Sequence, residues 1–240
     1  MKITIESLKK TIASKKYKWF DDINIIGIRT TLQVPDAFND FLCVIWKQKS
    51  IPNSLNFSQK QQWLKDNLFL GKNGKPLVID GDFGANSEFA FNTYKSVEGK
   101  ERLNIYTITT DPGTYWLQNP LSKLGTAVLK PGQYENCWKL GFHKTPSHKA
   151  LVQIGNVTVY RDNDKDVTAE TSSTEETGLF GINIHGSGKK SILIGKWSAG
   201  CQVFNEWSKK EEFISICEEF KTERGNKFSY TLLNEIDLIG

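Results

Sequence analysis

The run "INIHGSGKKSILIGKWSAGCQVF", residues 182–204, sets one of the chain's three histidines against one of its four cysteines. A thiol with an ordinary pKa of about 8.5 is only a few per cent thiolate at neutral pH, so a nucleophilic cysteine needs a base beside it. An imidazole can be that base, taking the thiol proton and holding the thiolate as an ion pair. His185 ends a β-like run, "GLFGINIH", and opens a glycine-rich turn, which puts its ring at a strand end. Cys201 follows the small residues of "SAG" and precedes the β-like "QVF". Gly200 can take backbone angles closed to other residues, and small neighbours let N–H groups turn toward a bound carbonyl, as an oxyanion hole requires. Each residue alone has a plainer reading, a buried thiol in a glycine turn or a satisfied strand-end histidine.

The remaining candidates carry less. Cys43 in "FLCVIW" and Cys137 in "ENCWKLG" read as small buried hydrophobes. Cys217 falls with Phe213, Ile216 and Phe220 on the apolar face of a helix, "SKKEEFISICEEFKTER". His143 and His148, in "FHKTPSHKA", read as surface residues of a lysine- and proline-containing loop without a third metal ligand. Asp162, Asp164 and Asp166 in "YRDNDKD" begin like a calcium loop but lack the glycine and distant glutamate that complete one, so a solvated turn is expected. With no CxxC pair, no metal and no cofactor are expected, and the widely spaced cysteines predict free thiols.

The elements that must position His185 and Cys201 are mostly strands. "INIIGIRTT", "FNDFLCVIWKQ", "RLNIYTITT", "GTAVLKPGQY", "ALVQIGNVTVYRD" and "KFSYTLL" are short β-rich runs between Gly, Pro and Asp/Asn turns. Leu8 and Ile12 predict a short amphipathic helix near residues 6–16. Residues 51–100 differ in texture. "SQKQQWLKDNLFL" and "EFAFNTYKSV" are helical in pattern and flank a turn-rich stretch, in which Asn86 or Ser87 is expected to cap the second helix. The expectation is a mainly β domain with a helix near the C-terminus, built from residues 1–50 and 101–240, with a small helical module inserted at 51–100.

Composition narrows the function classes. The net charge of +4 and scattered lysines fall short of a nucleic-acid binder, and no reader motif occurs. No run of about 18 apolar residues marks a membrane span. The N-terminus lacks the apolar core of a secretory signal, so synthesis and retention in a cytoplasm are expected. No carboxylate pair stands out that would suggest a glycosidase.

Two stretches resemble known families. "IHGSGKKSILIGKWSAGCQVF" resembles the active-site motif of L,D-transpeptidases of the YkuD type, in which histidine precedes Ser/Thr-x-Gly-Cys. "DGDFGANSEFAFNTY" resembles the signature of the helical peptidoglycan-binding domain found beside many cell-wall hydrolases. Other stretches of the chain, "ITTDPGTYWLQNP" and "VTVYRDND" among them, are similar to proteins of bacteriophages and related bacterial elements. The resemblance implies a YkuD-like β sandwich or barrel acting on peptidoglycan stem peptides. Cys201 would be the nucleophile that forms a thioester and His185 its base. Gly200 and Cys201 would supply oxyanion amides, and Ser198 would shape the turn. Gly186, Ser187, Trp197 and Gln202 are the expected substrate contacts. Val203 stands where that family commonly has Arg or Asn, with Gln202 beside it to compensate. The implied partners are peptidoglycan and phage or injection-particle proteins, reached after lysis or particle delivery. A non-catalytic wall-binding component of such a particle is the other function class.

Overall fold

The computed structural model describes residues 2–32, 34–144 and 147–238. It is mainly β, and the chain divides into two compact units. One unit comprises residues 1–44 and 103–240, the other residues 45–102.

Eleven strands and five α-helices run along the described chain: α1 (Ile5–Ser14), β1 (Ile23–Arg29), β2 (Asp40–Lys47), α2 (Phe57–Asp66), α3 (Ala85–Val97), β3 (Glu101–Thr109), α4 (Thr114–Gln118), β4 (Thr126–Leu129), β5 (Gly132–Lys144), β6 (Ser147–Gln153), β7 (Val157–Asp162), β8 (Glu175–Gly178), β9 (Ile184–Gly186), β10 (Gln202–Phe204), α5 (Trp207–Phe220) and β11 (Phe228–Asn234). Eight of the strands close a barrel in the order β1-β11-β5-β6-β9-β10-β3-β2, and β4-β7-β8 form a separate three-stranded sheet. Isoleucine-rich β1 is buried along its whole length, as a strand covered on both faces should be. Ile28, Leu42, Trp138, Leu151, Phe204 and Leu232 are fully enclosed in the core. The helical spacing of Phe213, Ile216, Cys217 and Phe220 turns all four inward from α5. β11 follows α5, so that helix is not the last element of the chain.

The local rule that matters for function is the pairing of β9 with β10. They are parallel neighbours, with Gln202 opposite Ile184, Val203 opposite His185 and Phe204 opposite Gly186. Parallel neighbours cannot be joined by a tight hairpin and need a crossover of a dozen or so residues. The stretch from Ser187 to Cys201 is that crossover, which accounts for the spacing between the histidine and the cysteine. The crossover is pinned at several points. Ile194 N–H donates to the Asp36 carbonyl (2.9 Å), Gly195 N–H to Asp36 Oδ1 (2.8 Å), and Gly113 N–H to the Ser198 carbonyl (2.9 Å).

In the second unit, Ile51, Leu64, Phe69, Leu77, Ala90 and Tyr94 make a small core of their own. Asn56 caps α2 through a reciprocal capping box with Gln59. The expected cap of α3 by Asn86 or Ser87 is corrected: Gly84 is the N-cap and both residues lie inside the helix. The Gln61 side chain organises the turn instead, donating to Asp80 Oδ1 (2.8 Å), the Asp82 carbonyl (2.9 Å) and Ser87 Oγ (3.0 Å).

Candidate active site

Cys201 stands one residue before β10, beside Asn183. Its half-buried thiol donates to the Gly181 carbonyl (3.4 Å) and accepts the Asn183 N–H (3.4 Å). The turn that delivers it is built by backbone. Gly200 has φ +119°, and a Cβ there would lie 2.2 Å from the Ala127 carbonyl oxygen, so only glycine fits. Ser198 is fully buried; its hydroxyl accepts the Gly200 N–H (3.2 Å) and donates to the Cys201 carbonyl (2.8 Å). That arrangement corrects one expectation, because the Gly200 amide is already engaged by Ser198. Among the described residues no partner is seen for the Cys201 N–H, which leaves it as the oxyanion donor the turn can offer.

His185 is buried on β9, on the same side of the strand pair as Val203, its register partner. Cys201 lies two residues before Val203, just ahead of β10, so the parallel pairing brings the cysteine and the histidine to neighbouring segments of the chain. They are not hydrogen-bonded. His185 Nδ1 lies 3.0 Å from the Gly186 carbonyl, which can only accept, so Nδ1 carries the proton. Nε2 is then an acceptor, and it is buried without a hydrogen-bond partner among the described residues. The imidazole pKa is pushed down to about 3, chiefly by burial and next by the neighbouring His143. The thiol of Cys201 is pushed up to about 11 by burial, against which the Asn183 N–H pulls it down. The expected ion pair is thus corrected for the resting state: both groups are neutral, and the thiol proton points to a carbonyl.

What the imidazole does touch was not legible from the sequence. His143 on β5 and His148 on β6 are strand residues paired in register, not loop residues, and His148 is buried. Their rings reach His185 with centroids at 4.1 Å and 5.7 Å, the His143 and His185 planes being 16° apart. β5 is two strands from β9, with β6 between them, so the rings meet across β6. Asn183 ties this cluster to the thiol. Its Oδ1 accepts the Gln153 N–H (3.0 Å), which turns Nδ2 toward His143 Nδ1 (3.2 Å), while its own N–H holds Cys201. Trp207 of α5 abuts His148 edge-on, with ring centroids 5.0 Å apart, and the buried Lys210 lies over the Trp207 ring, its Nζ 3.6 Å from the centroid. The signal that could have found the pair is the alternation of "KLGFHK" and "SHKALVQ" on either side of Thr-Pro, a hairpin pattern. Only the His143 and His185 rings stack; the His148 ring is tilted against both. Among the described residues no group of His, Cys, Asp or Glu is arranged to hold a metal ion.

Two expected substrate contacts are also corrected. Gln202 is fully buried and faces away from the thiol, its Oε1 accepting the Tyr230 hydroxyl (2.8 Å). Ser187 is buried and donates through both its N–H (3.0 Å) and its hydroxyl (2.8 Å) to the Phe204 carbonyl, bracing β10. Gly186 is buried too, and a Cβ there would press on Lys210 at 3.3 Å. Trp197 is the one of the four with an exposed surface, 36% of it accessible.

No protein-family model, curated protein or solved structure matches this chain. Among the described residues no helix is long and apolar enough to cross a membrane.

Proposed function

We propose that this chain is a cysteine enzyme that acts on the stem peptides of peptidoglycan through a thioester on Cys201. The single observation that carries the reading is that a half-buried thiol at the entry to β10 stands next to the parallel strand β9, which carries a neutral imidazole with an unpartnered Nε2. The Nδ1–H bond to Gly186 fixes the tautomer a general base requires. Substrate binding would displace the thiol from the Gly181 carbonyl and bring the ring off its stack with His143. The Sγ–H proton passes to His185 Nε2 as the thiolate attacks the peptide carbonyl, and the Cys201 N–H receives the oxyanion. Collapse breaks the C–N bond, and the leaving amine takes the proton from Nε2. Water then cleaves the thioester, or a second amine takes the acyl group. The helical unit serves as the wall-binding module, and the protein reaches the wall after lysis or on a phage or injection particle.

A second reading, a non-catalytic wall-binding component of such a particle, is favoured by the resting geometry, in which the thiol and imidazole each engage another partner. Mass spectrometry of sacculi incubated with the protein separates the two. The enzyme reading expects new stem-peptide termini or linkages with wild type and none with Cys201→Ala. Identical products from both proteins, or none from either, would remove it.

A further inference from the structure

With Gln202 turned inward and Val203 buried, the side chains that follow Cys201 offer no cation to a charged substrate. A guanidinium approaches the site from another sheet. We propose that the groove beside Cys201 binds the acyl-donor peptide and that Arg161 reads a free carboxylate on it. This assignment rests on the peptidoglycan-peptide reading above and adds a specificity to it.

The groove has a volume of about 210 Å³ and is walled by Trp116, Leu121, Thr126, Arg161, Phe180 and Ala199. Cys201 is not one of its walls, but two of them are close neighbours in sequence of residues at the thiol. Ala199 is two residues before Cys201, and Phe180 precedes Gly181, whose carbonyl receives the thiol proton. Arg161 on β7 is the register partner of Ala127 on β4, and the Ala127 carbonyl is the atom packed against Gly200. The sheet β4-β7-β8 thus docks its Ala127–Arg161 pair at the cysteine turn.

Arg161 is also held ready to bind. Its Nε donates to Glu176 Oε2 (2.7 Å), its Nη1 donates to the Gly125 carbonyl (3.1 Å), and the guanidinium lies over the Phe180 ring at 4.8 Å. These contacts fix the plane of the fork and leave Nη2 with no partner among the described residues. Glu176 ion-pairs the Nε side of the fork at 2.7 Å and is itself 41% exposed, so the Nη2 edge of this planar, pre-oriented guanidinium is what remains to donate to a carboxylate; the Arg161 side chain is only 12% exposed, so water competes little there. The aromatic and aliphatic walls accept the aliphatic part of a peptide residue. The ligand class is therefore a short peptide with an unamidated carboxylate next to the bond that Cys201 attacks.

The test uses two synthetic stem peptides, one with that carboxylate free and its carboxamide twin, titrated calorimetrically into the full-length Cys201→Ala protein. Turnover of both by the wild type is measured alongside. The free acid is expected to bind more tightly than the amide by about 10- to 100-fold, the range for one charge-assisted hydrogen-bonded contact. Arg161→Met should erase the difference and Arg161→Lys should restore part of it. Arg161→Met should still bind the amide as tightly as the Cys201→Ala protein does, which a misfolded variant could not, so loss of the preference alone is read as loss of the carboxylate contact. Equal binding of acid and amide, a preference that survives Arg161→Met, or no binding of either peptide overturns the assignment. Discrimination by the Cys201→Ala protein without turnover by the wild type keeps the carboxylate site and removes the enzyme reading.

Discussion

The two halves of the candidate site are built by different means. The Cys201 half is made mostly of backbone: a left-handed glycine, a serine whose hydroxyl ties its own turn, the Asn183 N–H and the Gly181 carbonyl. The His185 half is made of side chains: His143 of β5 and His148 of β6 lie against the ring, and Trp207 of α5 backs His148. A backbone-built feature has few permitted sequences and tolerates little change. A side-chain cluster can relax around a substitution and shows its constraint in titration instead of in geometry. The comparison predicts steep losses of stability on the cysteine side and pH-dependent, smaller ones on the histidine side.

The largest effect is expected for Gly200→Ala. Its Cβ would overlap the Ala127 carbonyl, which belongs to a paired strand and cannot move alone, and φ +119° is strained for any other residue. A loss of about 3–5 kcal/mol is expected from overpacking and backbone strain together. Gly195 is the internal control. It has φ +52° with open space around it, so Gly195→Ala should cost only about 1 kcal/mol. Urea melts of the two variants test this directly, and equal losses would show that packing against Ala127 contributes nothing.

This asymmetry also explains what could be read in advance. The glycine, the serine and the cysteine are contiguous in sequence, so their turn was legible in "SAGCQVF". The helix face of Phe213, Ile216, Cys217 and Phe220 was legible for the same reason, since its contacts follow a local period. The histidine cluster was not, because His143, His148 and His185 meet only through strand order and register, which a single sequence does not encode locally. Gln202 and Ser187 were misplaced by the opposite error. Their types suit substrate contacts, but β10 is buried on both faces, so Gln202 is enclosed against Tyr230, and Ser187 is spent on Phe204.

A smaller effect is expected on the histidine side, and its sign follows from linkage. The folded pKa of His185, about 3, lies below the ordinary 6.5, so the unfolded chain binds the proton more readily. That contribution to stability is complete above pH 6.5 and is lost as the pH falls toward 3. Asp40 and Asp162 run the other way, because burial raises both to about 6. Their contribution is complete below 3.8 and is lost as the pH rises through 6, so the raw profile mixes opposing slopes. His185→Asn removes the titrating ring while keeping a donor for the Gly186 carbonyl. Between pH 6.5 and 4.5 the wild type should lose about 2–3 kcal/mol relative to the variant, at about 1.4 kcal/mol per pH unit. Parallel stability curves would mean that the ring is not held neutral.

The smallest effect concerns the link between the halves. A thiolate–imidazolium pair forms at rest only if the imidazole is the stronger base, and here the order is reversed, with the ring near 3 and the thiol near 11. The proton therefore stays on sulfur throughout the neutral range, and removing the ring should leave the resting thiol unchanged. Alkylation of Cys201 by iodoacetamide, followed by peptide mapping, should accelerate with pH without a plateau before about pH 11, at the same rate in wild type and His185→Asn. Cys43 and Cys217, both fully enclosed, should react more slowly still. An alkylation rate that levels off below pH 8 in the wild type, and loses that plateau in the variant, would mean that the dyad is formed before substrate arrives. The comparison would then collapse into a single preassembled site. If the rates agree, the ring becomes the base of Cys201 only once a bound peptide has lifted the thiol from the Gly181 carbonyl. The site's selectivity would then reside in the groove that positions that peptide and not in a thiol activated in advance.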